Sequence, residues 1–432
     1  MEKSAEQRAL RKISVRLMPL LIAAFIISYL DRVNVGFAAI TANVDLNLSA
    51  TMYGFGAGLT FIGYSVFEMP SNIALEKFGA RKWLARIMVT WGIFGCLMAW
   101  AYDAITFCTL RFLIGAAEAG LFPGVLLYLT YWIPASHRAR YVGMFALGLT
   151  LANVIGAPIS GLLLEMDGFL GFKGWQWLYV LEALPAVILG ITFFLILPDR
   201  PSDAKWLTQD EKDWLNGQLE QERAAGANAP HRPALSLLVD RRVLMLSAVF
   251  FLTAVPSYGL SLWLPQVIKA VGFSNIITGL LSAVPFVFGS IALIAVGISS
   301  DRHKERIWHT VWPTVLSFVG LAIGAFADNA AIQFIGICLA AMGVYGIKGP
   351  FLALVSHSFP ARTAAAGIAA VTMLGNLSGF AAPYMVGILI DQFGSYRYGL
   401  VGLAAQALLG AGLLAFWYHR RAIGVPLGTA VA

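Results

Sequence analysis

The chain is a succession of long apolar runs separated by short polar segments. Runs of about 20 residues, the length that an α-helix needs to cross roughly 30 Å of hydrocarbon, recur along its whole length. They lie near 16–38, 52–75, 83–101, 105–131, 141–164 and 176–198, and then near 243–268, 276–299, 309–327, 330–356, 364–390 and 398–418. The pattern predicts an all-α polytopic membrane protein with 12 transmembrane helices, six before and six after a polar gap.

The polar gap sets the predicted domain boundaries. We expect an N-terminal six-helix bundle at 1–198, a cytoplasmic linker at 199–242 and a C-terminal six-helix bundle at 243–432. The linker mixes acidic and basic residues with a short amphipathic pattern, which is typical of a solvated helix. We therefore interpret it as a connection between two halves that move relative to one another.

Similar motifs recur in the two halves at a nearly constant spacing, which indicates an internal repeat. Segment 151–161 resembles 374–387, loop 76–82 resembles 301–306, and Pro134 before Arg138 resembles Pro360 before Arg362, at offsets of 223 to 226 residues. Two pseudo-symmetric six-helix bundles of this kind place a substrate near the bilayer midplane and give alternating access by rocking of the halves.

Composition and charge agree with the membrane setting. Hydrophobic residues make up 59% of the chain, charged residues 12%, and the mean hydropathy is +0.74, far from the values of soluble domains. With the N-terminus inside, 24 of the 30 Lys and Arg residues fall in cytoplasmic segments and only Lys173, Lys269 and Arg397 in outer loops. The positive-inside rule therefore predicts cytoplasmic N- and C-termini. The net charge of +7 is scattered over many loops, which argues against a nucleic-acid partner.

The three cysteines, Cys96, Cys108 and Cys338, lie in or near apolar runs without the spacing of a disulfide framework or a metal site. The sequence also has no nucleophile or cofactor motif. It predicts no enzyme activity, no cofactor and no bound metal.

Ionisable residues inside the apolar runs are the strongest functional signal. Asp31 and Arg32 lie in the first run, and Arg111 and Glu118 lie in the fourth. A charge at a helix centre costs about 2.5 to 3.5 kcal/mol on insertion scales, so such residues are kept mainly along polar pathways or in pairs. Acids and bases together indicate a proton-linked route for an anion.

Several motifs resemble the anion:cation symporter branch of the major facilitator superfamily over nearly the whole chain. These are Tyr-Leu-Asp-Arg-Val-Asn-Val-Gly at 29–36, Phe-Glu-Met-Pro-Ser-Asn at 67–72, the segment 111–120 and Gly-Trp-Gln-Trp at 174–177. The segment 258–266, Ser-Asp-Arg at 300–302 and Trp-His at 308–309 are most similar to the bacterial tartrate transporters. The resemblance implies the major facilitator fold and uptake of an organic anion coupled to protons.

The resemblance also assigns roles to the intramembrane charges. It implies that Glu118 is the main proton-coupling residue, with Arg111 as its changing partner in the substrate site, and that Asp31 is a second proton site. Arg32 offers the planar fork of donors that binds a carboxylate through two hydrogen bonds. We expect Arg32 to hold the anionic group of the substrate.

Four further residues are candidate substrate ligands. Tyr64 matches a family position with a phenol facing the cavity, although a Tyr packed in a helix interface is the alternative. Asn376 resembles the polar contact of the C-terminal half, and its alternative is an interhelical hydrogen bond. Lys348 in the tenth run could bind a second carboxylate, since snorkelling over about 12 Å to the cytoplasmic side looks strained. Gln266 lies near the outer end of the seventh run.

Four charged residues at the cytoplasmic ends are predicted to gate the transition. They are Glu76, Arg81, Asp301 and Arg302, and we expect them to latch the bundles in one state and to affect rate more than selectivity.

These observations predict a proton symporter for a small hydroxylated dicarboxylate such as tartrate. The alternatives are an aromatic acid such as 4-hydroxyphenylacetate, a sugar acid, or a membrane sensor that binds its ligand without transporting it. The expected partners are the organic anion, protons and the lipid bilayer. We expect a monomer in a bacterial inner (plasma) membrane.

Overall fold

The computed structural model describes residues 4–226, 240–359 and 364–424. Throughout these ranges the ordered elements are helices, and no strand occurs in them. The helices are α1 Ala5–Arg16, α2 Met18–Asp45, α3 Ala50–Phe78, α4 Ala80–Leu97, α5 Ala104–Glu118, α6 Leu121–Thr130, α7 Ala135–Leu163, α8 Gly174–Ile196 and α9 Gln209–Gly226. They continue with α10 Arg241–Lys269, α11 Asn275–His303, α12 Trp308–Phe326, α13 Ala330–Gly346, α14 Lys348–His357, α15 Ala364–Gly375, α16 Ser378–Phe393 and α17 Tyr396–Gly424.

The helices follow the predicted apolar runs, and the predicted all-α polytopic class is confirmed. Among the described residues, 10 helical segments are long and apolar enough to cross a membrane, and Leu151–Met166 is a shorter apolar helix. The run at 52–75 forms α3, which has 29 residues. It is not among these 10 segments, and its glycines and tyrosines, such as Tyr53 and Tyr64, lower its apolar character.

The chain divides into two compact units. Unit 1 comprises Met1–Asn47, Leu59–Pro230 and Asn275–Gly279, and unit 2 comprises Leu48–Gly58, His231–Ser274 and Leu280–Ala432. Helix α3 thus begins in unit 2 and continues in unit 1, and α11 begins in unit 1. The predicted boundaries at 198 and 242 stay a prediction. The repeat motif at 360–362 and the linker segment 227–239 lie outside the described residues.

In unit 1, small residues let α3 and α5 pack backbone to backbone. A Cβ on Gly63 would lie 2.3 Å from the carbonyl oxygen of Phe112, and one on Gly115 would lie 1.9 Å from that of Thr60. No side chain fits at either glycine, which is the usual way in which membrane helices approach closely. This contact fixes the relative position of α3 and the C-terminal end of α5, where the candidate site lies.

Helix α9 of the predicted linker packs on α1 in unit 1 through charged side chains. Lys12 Nζ donates to Glu211 Oε2 at 2.7 Å, and Arg8 pairs with Asp210. Burial of Glu211 raises its pKa, but hydrogen bonds from Lys12 and from the backbone N–H of Thr208 outweigh this effect and leave the pKa below its ordinary value. The predicted amphipathic linker helix is therefore present and is held by ion pairs.

In unit 2, a buried apolar cluster includes Val243, Leu246, Phe351 and Leu414 and joins α10, α14 and α17. The carboxylate of Asp391 accepts hydrogen bonds from the backbone N–H groups of Ala50 and Thr51. Asp391 therefore caps the first turn of α3, whose N–H groups have no partner within the helix.

Candidate functional site

The fourth predicted span is broken into α5 and α6 beside the acid Glu118. Helix α5 ends at Glu118, and Gly120 has φ +88° and ψ −1° in the left-handed region. A Cβ there would also lie 2.4 Å from Ser71 Oγ, so Gly120 is required for both reasons. Pro123 cannot donate a hydrogen bond to the carbonyl of residue 119. The carboxyl of Glu118 thus lies at the end of a half-helix.

The tenth predicted span has a weaker interruption in the corresponding place. Helix α13 ends at Gly346 and α14 begins at Lys348, while Ile347 between them keeps helical φ −65° and ψ −35°. Pro350 cannot donate to the carbonyl of Gly346. Interrupted membrane helices at corresponding positions of two repeats point to a transporter binding site. One interruption carries an acid and the other a base.

Arg32 on α2 forms an ion pair with the buried Glu118. Its Nη2 lies 2.9 Å from Glu118 Oε1, and its Nε lies 3.0 Å from Oε1 and 3.3 Å from Oε2. Ser28, one turn before Arg32, donates a hydrogen bond to the same Oε1. The Glu118 side chain is 1% exposed and that of Arg32 is 24% exposed. The partner of Glu118 in this structure is therefore Arg32, and the change of partner to Arg111 that the resemblance implies stays a prediction.

Tyr64 on α3 completes the surroundings of Arg32. The guanidinium carbon of Arg32 lies 4.8 Å from the centre of the Tyr64 ring, which is within the range of a cation–π interaction. The structure thus brings Arg32, Glu118 and Tyr64 together as three neighbouring polar groups.

Asp31 lies on another face of α2, and its 1% exposed side chain contacts α4. Trp91 Nε1 donates to Asp31 Oδ2 at 2.6 Å, and Asn34 Nδ2 donates to Oδ1 at 3.1 Å. No Lys or Arg nitrogen among the described residues lies within 4.0 Å of its oxygens. Asp31 is consequently a buried acid that is held by neutral donors.

Arg111 on α5 is 1% exposed. Its Nε and Nη1 have no hydrogen-bond partner within the described part of the chain, and its charge acts on Asp31 and on Tyr179. A buried guanidinium with unmatched donors is costly. Arg111 therefore has donors to offer to an anion or to a rearranged acid.

In unit 2, Lys348 Nζ lies 4.0 Å from the centre of the Tyr345 ring. No carboxylate of the described residues lies within 4.0 Å of this ammonium group. Tyr345 precedes Lys348 by three residues, so the side chain points back toward the N-terminus of its helix. Under the predicted topology that direction leads away from the cytoplasmic side, which argues against snorkelling.

Asn376 lies at a third discontinuity, between α15 and α16. Tyr258 Oη donates to Asn376 Oδ1 at 3.4 Å. Asn153, which occupies the corresponding position of the repeat, is buried within the continuous helix α7. The helix is therefore interrupted at this position in the second repeat but not in the first. Gln266 is 6% exposed and lies two turns beyond Tyr258 on α10.

The predicted gating residues have local partners. Arg81 Nε lies 4.0 Å from Asp199 Oδ2, and the Arg81 backbone N–H donates to Asp199 Oδ1 at 2.8 Å. Asp301 pairs with Arg306 at 2.6 Å. For Glu76 and Arg302, no ion pair within 4.0 Å occurs in the described ranges.

Sequence reasoning missed Ser28, Trp91 and Tyr258 as partners of the candidate residues. Ser28 could have been found, because a residue four positions before Arg32 lies on the same helix face. Trp91 and Tyr258 contact their partners from other helices, and neither carries a sequence signal for that contact.

Comparison with known proteins identifies the family. A family model described as Major Facilitator Superfamily matches residues 20–383. A "Putative tartrate transporter" of Agrobacterium vitis is 44% identical over 95% of each chain. A "Quinolone resistance transporter" of Acinetobacter baumannii is 39% identical over 94% of each. The Escherichia coli "Inner membrane transport protein RhmT" is 34% identical over 93% of each.

Solved structures agree on the fold. An inward-facing and occupied bacterial homolog of the human lysosomal transporter Spinster has a TM-score of 0.77 at 15% identity, covering 93% of this chain and 96% of that one. A D-xylose-proton symporter has a TM-score of 0.72 at 16% identity, covering 93% and 97%. The predicted resemblance is confirmed: the chain is a membrane transporter and not an enzyme, and it belongs to the Major Facilitator Superfamily.

Proposed function

We propose that this transporter is a symporter that takes up a small hydroxylated dicarboxylate, such as tartrate, together with protons. The observation that carries the proposal is the ion pair between Arg32 and the buried Glu118. A guanidinium neutralised by a titratable carboxylate can bind an anion only when that carboxylate is protonated or moves away. The pair therefore links the two ligands by competition for one cation.

The mechanism starts with a proton on Glu118, which removes the negative charge facing Arg32. The Arg32 guanidinium then donates two hydrogen bonds to a carboxylate of the substrate in place of Glu118, in the bidentate geometry that guanidinium groups favour. The cation–π contact with the Tyr64 ring keeps the Arg32 guanidinium in place while its anionic partner changes from Glu118 to the substrate. After alternating access, loss of the proton restores the Arg32–Glu118 pair and expels the anion. Asp31 binds a second proton in the same cycle.

The choice of a dicarboxylate is supported by Lys348. Its ammonium group has an aromatic ring beside it and no carboxylate among its described neighbours, so its charge is available for a second anionic group. Asn376 and Tyr258 supply amide and hydroxyl groups in the same unit for the hydroxyls of the substrate. Arg111 and Gln266 are the remaining candidate contacts. Relatives named as tartrate transporters are 44% identical and support this class of substrate.

We also propose a bacterial inner membrane location with both termini in the cytoplasm. The distribution of Lys and Arg over the loops supports this orientation, and the chain acts as a monomer. Glu76, Arg81, Asp301 and Arg302 control the rate of the conformational change from the cytoplasmic ends of their helices.

The test is uptake of radiolabelled L-tartrate by proteoliposomes that contain the purified protein, with an alkaline interior or with equal pH on both sides. Accumulation only with the gradient supports proton symport of a hydroxy dicarboxylate. Accumulation of 4-hydroxyphenylacetate or of a sugar acid instead of tartrate would reject the dicarboxylate. Specific binding without flux of any of these anions would identify a sensor and refute the transport proposal.

A further inference from the structure

Arg86 is a charged residue of a membrane helix that the proposed cycle does not use. Helix α4 begins at Ala80 and belongs to the apolar segment Ala80–Trp100, which is long enough to cross a membrane. Arg86 therefore lies about 9 Å along the axis from the start of this helix. No carboxylate oxygen of the described residues lies within 4.0 Å of its guanidinium. A cation at this depth needs an anionic partner or a path to the lipid headgroups.

The Arg86 side chain takes the path to the headgroups. Its Cζ lies 4.0 Å from the centre of the Trp83 ring. Trp83 precedes it by three residues, so the guanidinium points back toward the start of α4. The Nε of Arg86 is buried and has no hydrogen-bond partner in the part of the chain that the structure describes. Arg86 thus snorkels and presents its remaining donors at the end of the helix.

Two stacked aromatic rings connect Arg86 with a second cation. The rings of Trp83 and Phe78 have centroids 5.6 Å apart and planes inclined by 16°. Lys77 Nζ lies 5.6 Å from the centre of the Phe78 ring, and none of the described carboxylates lies within 4.0 Å of it. Phe78 is 53% exposed. We call Lys77, Phe78, Trp83 and Arg86 the aromatic corner, in which each of two stacked rings carries a cation.

The Trp83 ring is fixed by a contact with α3. Its Nε1 donates to Ser71 Oγ at 2.9 Å, and Ser71 is 5% exposed. The ring therefore cannot turn without losing a hydrogen bond. Because Arg86 lies over this ring, its guanidinium is held in position before any ligand binds.

The segment around the aromatic corner has a surplus of two positive charges. Four basic residues, Lys77, Arg81, Lys82 and Arg86, occur with two acids, Glu76 and Asp199. Arg81 already pairs with Asp199, which leaves the cations of the corner for an external anion.

The exposed ring favours a lipid over a soluble anion. A phosphate ion in solution gains nothing from the face of Phe78, whereas a phospholipid brings a phosphate and apolar chains to the same place. In a zwitterionic lipid the phosphate is neutralised by the lipid's own ammonium group. A lipid with net negative charge therefore matches the surplus of positive charge at the corner better.

We propose that the aromatic corner binds the phosphate of an anionic phospholipid such as phosphatidylglycerol. The Arg86 guanidinium donates hydrogen bonds to the phosphate, Lys77 adds a second positive charge, and the Phe78 ring packs against the glycerol and the acyl chains. The site requires only that the chain spans a membrane. It does not depend on tartrate, on proton coupling or on the orientation of the chain.

The test measures lipid binding to the purified full-length protein in detergent by native mass spectrometry, with dioleoylphosphatidylglycerol as the probe. Arg86→Gln is expected to bind one lipid molecule about tenfold more weakly than the wild type, which is the scale of one lost charged hydrogen bond. Arg86→Lys should lie between the two, because an ammonium group keeps the charge but lacks the planar set of donors. Lys77→Gln should weaken binding in the same direction.

Lys82→Gln is the matched control. It removes an exposed charge next to Trp83 in the sequence but none of the groups of the corner, so it should bind the lipid as tightly as the wild type. All four variants should unfold at the wild-type Tm in detergent without added lipid, which separates loss of the site from loss of the fold. If Arg86→Gln unfolds earlier, Lys77→Gln decides, since its side chain is exposed.

Wild-type affinity in both Arg86→Gln and Lys77→Gln would overturn the proposal. An equal loss in Lys82→Gln and Arg86→Gln would overturn it as well, because the attraction would then be a diffuse effect of net charge. Dioleoylphosphatidylcholine and glycerol 3-phosphate should not displace the bound phosphatidylglycerol at equal concentration. Displacement by glycerol 3-phosphate would identify a site for soluble phosphates and refute a lipid site.

Discussion

Replacing Glu118 with glutamine separates proton coupling from substrate binding. The substitution keeps the shape of the side chain and an oxygen that accepts from Ser28, but it removes the group that competes for Arg32. The variant is therefore expected to bind and exchange the anion while it loses at least one coupled proton. Asp31 remains as the second proposed proton site.

The size of the effect follows from the number of titratable groups. With the membrane potential held at zero by valinomycin and equal potassium, each coupled proton gives about tenfold accumulation per pH unit of gradient, or about 1.4 kcal/mol. Two acids, Asp31 and Glu118, predict about hundredfold accumulation by the wild type at a gradient of one unit. Glu118→Gln should reach about tenfold or less, and the double variant with Asp31→Asn should not accumulate substrate.

The assay is uptake of labelled tartrate into proteoliposomes, followed by counterflow exchange at equal pH. Glu165→Gln is the matched control, since it neutralises an exposed acid of the same unit and should accumulate like the wild type. Equal accumulation by Glu118→Gln and the wild type would refute the coupling role of the Arg32–Glu118 pair. Loss of counterflow exchange together with accumulation would instead assign Glu118 to substrate binding.

Three further outcomes test other parts of the structure. Lys348→Gln should raise the KM for a dicarboxylate by about tenfold or more, which is the scale of one lost charged contact. Uptake of a hydroxy monocarboxylate should stay the same. Equal effects on both substrates would exclude a contact between Lys348 and a second carboxylate. Gly120→Ala should destabilise the purified protein by about 1 to 3 kcal/mol in thermal unfolding, because residue 120 has a φ of +88° and an added Cβ would collide with Ser71. Gly143→Ala is the control: its added Cβ meets open space, so this substitution should be neutral or stabilising. Glu305→Gln should lower Tm at neutral pH by weakening the cap of α12, at a cost of about 1 kcal/mol. Partial burial raises the pKa of Glu305, but hydrogen bonds from His309 and from backbone amides outweigh this effect and leave the pKa below its ordinary value. The stabilisation by the Glu305 cap is therefore present above the unfolded-state pKa and is lost as pH falls through the folded-state pKa. An equal difference in Tm between variant and wild type at acid and neutral pH would contradict this account.

The membrane helices could be predicted from the sequence because a single property, apolar length, determines them. The interruptions beside Glu118, before Lys348 and at Asn376 were not predicted, since 105–131, 330–356 and 364–390 are continuous as hydropathy patterns. Pro123 and Pro350 were the available signals. A proline in a membrane span can be accommodated within one kinked helix, and the positive φ of Gly120 is what makes the interruption beside Glu118 a sharp break.

The partner of Glu118 could not be predicted from spacing. The resemblance gave Arg111 as the changing partner of Glu118, and residues seven apart do lie on the same side of a helix. They are also separated by about 10 Å along the axis, too far for an ion pair without a bend. Arg32 reaches Glu118 from α2 instead, at 2.9 Å. That contact depends on how α2 and α5 pack, and no local pattern in either helix specifies it.

The separation of Asp31 from Arg32 has a consequence for coupling. Adjacent residues on a helix point about 100° apart, so Arg32 lies beside Glu118 while Asp31 contacts Trp91 and Asn34. Under the proposed symport, a substrate carboxylate therefore competes directly with Glu118 for one guanidinium, whereas no arginine or lysine of the described residues lies within 4.0 Å of Asp31. The proton on Glu118 is linked to the anion by this competition. A proton on Asp31 can be linked to it only through a movement of α2 or through the charge of Arg111, and this difference is why the two acids require separate variants.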